Sequence, residues 1–425
     1  MLEEILDIRN VQRAFRQVTA NKGASGIDGM QTDELRDYLN TNWQRLRSDI
    51  LTGNYKPQAV RKVEIPKAGG NGLRMIGIPT VVDRLLGQAI AQWLSPKYEP
   101  TFAENSYGFR PGRNAHQAVL NAQCNLNSGH RWIIELDLEK FFDRVNHDKV
   151  MYLLSAKVKD KRTLKLIRSF LSSGIMENGL VSQRKEGTAQ GSPLSPLISN
   201  ILLDQLDQEL EKRGHLFVRY ADDISIYVRS EKSALRVMRS ITTFIENDLK
   251  LRVNGQKSRV SRPRSSTLLG FSFYGSKTGW EIRIAPKALR SIREKMKQHT
   301  KRNDPTGIKD RINKIELSIR GWVNYFALAK AKNQMSRLDE MMRVRLRIII
   351  WKQWKHAKTR QRNLMKLGIN RGKAYEWSHT HKGYCRTAHS PILQRSVNNA
   401  YLASLKYTGF ANYYYWKTEH QTKLF

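Results

Sequence analysis

Only two cysteines, Cys124 and Cys385, occur among 425 residues, so no disulfide framework holds the fold and the chain suits a reducing compartment. Long apolar runs are missing as well. No stretch approaches the roughly 20 residues that span a bilayer, and the amino terminus MLEEILDIRN is acidic, without the apolar core of a secretory signal. Acidic residues are scarce beside basic ones, 38 Asp and Glu against 74 Lys and Arg, which leaves a formal charge of +36. That excess attracts polyanions, and without a membrane segment nucleic acid is the expected partner. The 40% hydrophobic and 9% aromatic content excludes a disordered polycation and suffices for cores in two or three domains.

Glycine is absent from the one turn that most needs it. Phe217 to Val228, FVRYADDISIYV, has β-favouring runs on both sides of Asp222 and Asp223, which predicts a hairpin. Two-residue hairpin turns favour Asn-Gly or Asp-Gly. Two adjacent carboxylates repel each other by roughly 1 kcal/mol in water at 4 Å, and a divalent cation would reverse that sign. A solvated acidic turn is the ordinary explanation of such a pair, and three other features weigh against it.

The first is RWIIELDLEKFFDRV, Arg131 to Val145, an apolar strand that ends in Asp137. Functional carboxylates favour strand ends, where a sheet holds the backbone and the side chain reaches a cleft. Glu139 and Asp143 are read as solvated or salt-bridged. The second is Glu186 to Gly214. Here Gly187 and Gly191 allow close backbone approach, Ser195 is placed to cap a helix that starts at Pro196, and Leu194 to Leu210 supplies a buried stripe. The third is the basic helical region from about Lys287, where Ile312, Ile315, Ile319, Val323 and Phe326 mark a core face. Trp322 and Trp351 are assigned to the core. A strand-end aspartate, a glycine loop and an Asp-Asp hairpin in a basic chain are the parts of a site for phosphoryl transfer with two Mg²⁺ ions. Asp137 and Asp222 would bridge both ions, with Asp223 contributing less directly.

Elsewhere the periodicity predicts helices within 1–51, separated by the glycine-rich loop Asn21 to Met30, read as a flexible surface loop. Strands over Val60 to Ile65 and Leu73 to Ile78 carry Lys62, Lys67 and Arg74, cations suited to phosphate. Thr80 and Asp83 form a capping box. Arg110 and Arg113 flank a Pro-Gly turn before a helix that Asn114 caps, and a second turn falls at Leu269 to Phe271. His379, His381, Cys385 and His389 lack the spacing of a zinc finger, so that stretch is read as an RNA-facing basic surface.

The ordered set IPKAGGNGLRMIGIPTVVDR, YGFRPGRNAH, LDLEKFFDRVNHD, GTAQGSPLSPLISNILL, RYADD, NGQKS and LGF resembles the successive blocks of a reverse transcriptase. YADD, RGWVNYF and IIIWKQWK point to the group II intron maturase lineage, in its short class without an endonuclease domain. The resemblance implies an α+β right-hand polymerase of fingers and palm, then an all-α thumb and a small basic C-terminal domain. The expected boundaries are 1–80 for an N-terminal extension and the start of the fingers, 81–276 for the fingers and palm, 277–358 for the thumb and 359–425 for the last domain. It also implies roles. Asp137, Asp222 and Asp223 match the metal-binding aspartates, with the Leu138 carbonyl as a further ligand. Lys67, Arg74, Phe142, Gln190 and Lys257 match contacts to the incoming dNTP, Phe142 lying under its sugar and Phe141 in the core. Arg110, Arg113, Gly191, Leu269 and Gly270 are assigned to template and primer. Two departures concern the glycine loop: Ala189 stands where proline is usual and Ser192 where glycine is common. The implied partners are an RNA template, a cognate intron RNA, a DNA primer or target and dNTPs, in a bacterial cytoplasm and on the nucleoid, with no membrane. A polymerase recruited by its host for DNA repair or phage defence, and a splicing factor with a dead polymerase, are the competing expectations.

Overall fold

The computed structural model describes residues 1–66, 72–177 and 180–422, in two compact units, Met1–Ser266 and Thr267–Phe425. The first unit runs α1 (Leu2–Ile5), α2 (Ile8–Ala20), α3 (Leu35–Thr52), β1 (Val60–Pro66), β2 (Leu73–Ile78), α4 (Val81–Tyr98) and α5 (Ala115–Asn127). It continues with β3 (Trp132–Leu136), α6 (His147–Lys157), α7 (Lys161–Ser172), β4 (Ile175–Glu177), β5 (Leu180–Ser182) and α8 (Ser195–Lys212). β6 (Leu216–Tyr220), β7 (Asp223–Val228), α9 (Glu231–Asn247) and β8 (Arg259–Ser261) complete it.

Two four-stranded sheets organise this unit, in the orders β2-β1-β4-β5 and β6-β7-β3-β8. In the second sheet β3 and β7 run antiparallel with Leu136 opposite Ile224. Alternation then does the sorting. Ile134, Leu136, Ile224, Ile226 and Phe217 join the core with the apolar stripes of α8 and α9. Glu135, Asp137, Asp223 and Ser225 fall on the opposite face.

Local capping sets where the helices begin. Thr80 accepts the Asp83 N–H at 3.1 Å and donates its hydroxyl to the Asp83 carboxylate at 2.7 Å. Asn114 caps α5 as expected, and Gln117 completes a full capping box with it. α8 differs from expectation. It starts at Ser195, and Leu194 is its uncapped flanking residue. The Ser195 hydroxyl instead donates to the Ala189 carbonyl at 2.8 Å. The Asn21 to Met30 loop is likewise not free: Arg84 donates to the Ala24 carbonyl at 2.8 Å, and a Cβ on Gly26 would lie 2.6 Å from Thr80 Cα. The loop is pinned to the start of α4.

The second unit opens with the hairpin β9 (Phe271–Ser276) and β10 (Gly279–Ile284). Helices follow: α10 (Pro286–His299), α11 (Ile308–Phe326), α12 (Lys332–Gln353), α13 (Ala357–Lys366) and α14 (Arg371–Ser378). The chain ends with α15 (Tyr384–Ala388), α16 (Pro391–Ser396), α17 (Asn399–Ser404) and α18 (Phe410–Thr422). β9 pairs with β10 in a two-stranded sheet of their own, so the second compact unit begins ahead of the expected 276/277 boundary. Residues on both sides of the expected 358/359 division lie in that same unit. On α12, Asp339 accepts from the Tyr407 hydroxyl and from the Phe410 and Ala411 N–H groups at 2.7 to 2.8 Å. On α11, Glu316 accepts from the Thr408 and Gly409 N–H groups. Two carboxylates thus cap the start of α18, satisfying donors that a helix leaves open. Trp351 is core, 1% exposed, under the Arg360 guanidinium. Trp322 is only half-buried, wedged against Phe326 and Phe410. No described helix is long and apolar enough to cross a membrane.

Candidate active site

Asp137 follows β3 directly, and its backbone is tied on both sides. Its N–H donates to Ser258 Oγ at 3.0 Å, and its carbonyl accepts the Asn254 N–H at 2.8 Å. Lys257 stands in the same segment, with its ammonium 3.4 Å from the Asp137 carboxylate. The hairpin turn between β6 and β7 consists of Ala221 and Asp222, with Tyr220 paired to Asp223. Ala221 takes the positive φ, +57°, a conformation that costs an L-residue roughly 1–2 kcal/mol.

The surroundings enforce that backbone. A Cβ on Gly108 would lie 2.2 Å from Ala221 N, so only glycine lets these two segments meet. Arg219, fully buried, donates to both Asp207 oxygens, to Asn200 Oδ1 at 2.9 Å and to the Ala221 carbonyl at 3.1 Å. Asn200 in turn donates to the Gly108 carbonyl at 2.9 Å. A charge-assisted network thus braces the turn from α8 below. Sequence reasoning missed it. The signal was present as a cation inside an apolar strand and Asp207 on the apolar stripe of α8, a pair that burial makes obligatory.

Asp137 and Asp223 lie at the ends of adjacent strands. Asp223 opens to solvent on one side, but the protein around it desolvates its carboxylate. The Asp222, Asp137 and Glu135 charges add to this, pushing its pKa up to about 6. Among the described residues no three His, Cys, Asp or Glu side chains converge as a ready cage for a metal. The donor set fits a hard cation: all oxygen, crowded and anionic, with the Lys257 ammonium already beside Asp137. Glu139 pairs with Arg144 at 3.2 Å and Asp143 is exposed, so neither joins the cluster.

The residues matched to nucleotide contacts come together in part. Arg74 donates to Gln190 Oε1 at 3.0 Å. The Gln190 loop is held from several directions: the Thr188 N–H donates to the Phe142 carbonyl and the Gly187 N–H to the Val145 carbonyl, each at 2.7 Å. These bonds and the Ser195 hydroxyl fix the loop at Ala189, which is itself buried. A Cβ on Gly191 would sit 2.7 Å from the Gly77 carbonyl, so the close approach that needs this glycine is to β2. Phe141 is core, 3% exposed, whereas Phe142 is half-buried and packed against that core. Leu138 is buried and bridges Val253. Lys67 lies outside the described residues.

Arg110 is a correction. Its guanidinium is buried against Glu99 at 2.9 Å and on the Ala103 and Ser106 carbonyls, so its donors build the loop rather than face template or primer. Arg113 stays half-buried, donating to the Glu104 carbonyl and lying over Tyr107. In the second unit Leu269 and Gly270 are the centre of a tight turn between Leu268 and Phe271, with φ of +51° and +81°. That is the pattern of a hairpin turn of the I′ kind, and Tyr325 donates to the Leu269 carbonyl at 2.9 Å.

Residues 65–273 match the model for reverse transcriptase (RNA-dependent DNA polymerase), and residues 289–368 match the group II intron maturase-specific domain. Protein YkfC of Escherichia coli (strain K12) is 32% identical over 302 residues, 62% of this chain and 78% of that protein. The group II intron-encoded protein LtrA of Lactococcus lactis subsp. cremoris is 28% identical over 331 residues, 63% of this chain and 55% of LtrA. Against LtrA the chain therefore spans about half the relative's length. With its aspartates on paired strand ends and a maturase-specific domain following the polymerase blocks, the chain belongs to the reverse transcriptases of the group II intron kind.

Proposed function

We propose that the protein copies RNA into DNA by two-metal nucleotidyl transfer and also acts as a maturase, binding group II intron RNA to promote its splicing and mobility. The observation that carries the chemistry is the placement of Asp137, directly after β3, beside Asp222 and Asp223 at the start of β7, the antiparallel neighbour of β3. Asp137, Asp222 and Asp223, with the Leu138 carbonyl, would hold two Mg²⁺ ions, which activate the primer 3′ oxygen and stabilise the departing pyrophosphate. Lys257 supplies a cation beside the site for the same pyrophosphate. Arg74 and Lys67 hold the triphosphate, and Gln190 orients the nucleotide from a braced loop. Arg113, Gly191, Leu269 and Gly270 are assigned to template and primer. The working place is the bacterial cytoplasm, on the nucleoid when DNA is bound. The test is extension of a DNA primer on an RNA template with dNTPs and Mg²⁺. Extension that stops on adding EDTA is expected, and no extension with either Mg²⁺ or Mn²⁺ on several primer–templates would overturn the proposal.

Phe142 bears on sugar choice. An apolar pocket rejects an added hydroxyl poorly unless bulk occupies its space, and Phe142 is the half-buried ring beside the strand end. Phe142→Ala should raise the relative kcat/KM for ribonucleotides by about 10-fold or more, roughly 1.4 kcal/mol. Single-nucleotide incorporation with dNTP and rNTP measures it. A fall in melting temperature with unchanged discrimination would make Phe142 a packing residue.

Intron RNA binding rests on exposed cations of the second unit. In the basic stretch around α12 and α13, Arg347 is buried and donates to the Val397 carbonyl, and Arg345 donates to Thr300. Lys355, Lys358, Arg362 and Lys366 are exposed. Neutralising those four should weaken RNA binding and flatten its dependence on salt, by up to ~0.7–0.9 in the log–log slope for each phosphate no longer neutralised. An unchanged slope in filter binding from low to moderate salt would place the RNA elsewhere.

A further inference from the structure

Phe109 combines two unfavourable features that its neighbours do not share. Its backbone φ is +60°, an outlier for a bulky side chain, and its ring is 53% exposed. Ser106, Tyr107, Gly108 and Arg110 around it are all buried. A ring that served packing would be turned inward with them, and a strained backbone persists only where its surroundings dictate it.

Those surroundings are the catalytic turn. The Tyr107 N–H donates to the Arg219 carbonyl at 2.9 Å. Gly108 abuts Ala221, and its carbonyl is held by Asn200. On the other side the Arg110 guanidinium is fixed on Glu99, Ala103 and Ser106. Phe109 is therefore clamped from both sides and presented outward, one residue from the backbone that touches the Ala221–Asp222 turn. The same loop carries Arg113, its guanidinium over the Tyr107 ring.

We infer that Phe109 is a stacking platform for a nucleobase of the primer–template bound at the catalytic turn. This rests on the polymerase reading above and adds a binding site to it. A rigid aromatic face suits this ligand because every base offers a π-face, so stacking is tolerant of sequence. It also fixes the nucleic acid against the turn that carries Asp222.

The experiment uses the full chain and a DNA primer on an RNA template without dNTPs, so that binding is read apart from chemistry. 2-Aminopurine is placed in turn at the primer terminus and at the neighbouring template positions. In the parent, quenching by stacking is expected at one of these positions. Phe109→Ala should relieve the quench there and weaken primer–template binding about 5- to 20-fold, the scale of one base–aromatic stack. The salt slope should stay as in the parent, because no cation is taken from a phosphate. Phe109→Trp should restore both quench and affinity. The melting temperature of Phe109→Ala should hold, since the exposed ring contributes little packing and the positive-φ penalty is common to both residues. Parent-like affinity and quench in Phe109→Ala, or a lowered melting temperature with unchanged binding, would overturn the inference. A parent that binds and quenches but never extends would sink the polymerase reading alone.

Discussion

Asp222→Asn should abolish primer extension while leaving RNA affinity nearly as it was. The substitution keeps the shape of the side chain and the hairpin around it, but replaces one anionic oxygen with a neutral amide at the place where divalent cations are expected. Transition-state stabilisation by metals is worth several kcal/mol, so a fall of about 1,000-fold or more, roughly 4 kcal/mol, is expected. Affinity should hardly change because it comes from cations on phosphates, and one charge is a small fraction of a formal +36. Single-turnover extension alongside filter binding separates the two. Extension by Asp222→Asn at the parent rate with Mg²⁺ would remove Asp222 from the chemistry.

Asp207→Ala should unfold the first unit more readily by about 3–5 kcal/mol, the cost of stranding a buried charge. Both side chains of the Arg219–Asp207 pair are at 0% exposure, so water cannot replace the missing carboxylate. A shift of the denaturant midpoint in parent and variant measures the effect, and a loss below ~1 kcal/mol would show that water or a rearranged partner compensates. A second variant divides stability from positioning. Replacing the pair together, Arg219→Met with Asp207→Leu, can restore stability, since well-packed apolar residues often match a buried pair. It cannot restore the bond to the Ala221 carbonyl. Extension should then remain depressed in a protein that melts like the parent, and full recovery of extension would show that the turn holds its shape unaided.

Much of this was legible from residues. Asp137 at a strand end, the Asp222–Asp223 hairpin and the Thr80 and Asn114 caps follow from alternation and capping, which act over a few residues. What the sequence concealed was long-range. Arg110 looked like a surface cation beside a Pro-Gly turn, and only the fold brings Glu99 and two carbonyls around it. Ser195 looks like a cap, but the helix already starts at Ser195 with Leu194 before it, and its hydroxyl is free to donate to the Ala189 carbonyl of the loop folding back over it. β9 belongs to a separate two-stranded sheet, which its own apolar pattern does not announce. Its pairing with β10 is decided by tertiary context.

The carboxylates of Asp339 and Glu316 that receive the start of α18 also constrain how the chain can be cut and rejoined. A deletion before Tyr407 would remove the Tyr407 hydroxyl and the N–H groups of 408 to 411. Two acids in the middle of α11 and α12 would be left beneath an emptied surface, Asp339 with a carboxyl that burial already pushes up. The last helix is thus a keystone for the helices before it. A reporter or a further module should be tolerated when grafted after α18, whereas the same graft within 407–411 should loosen the whole second unit.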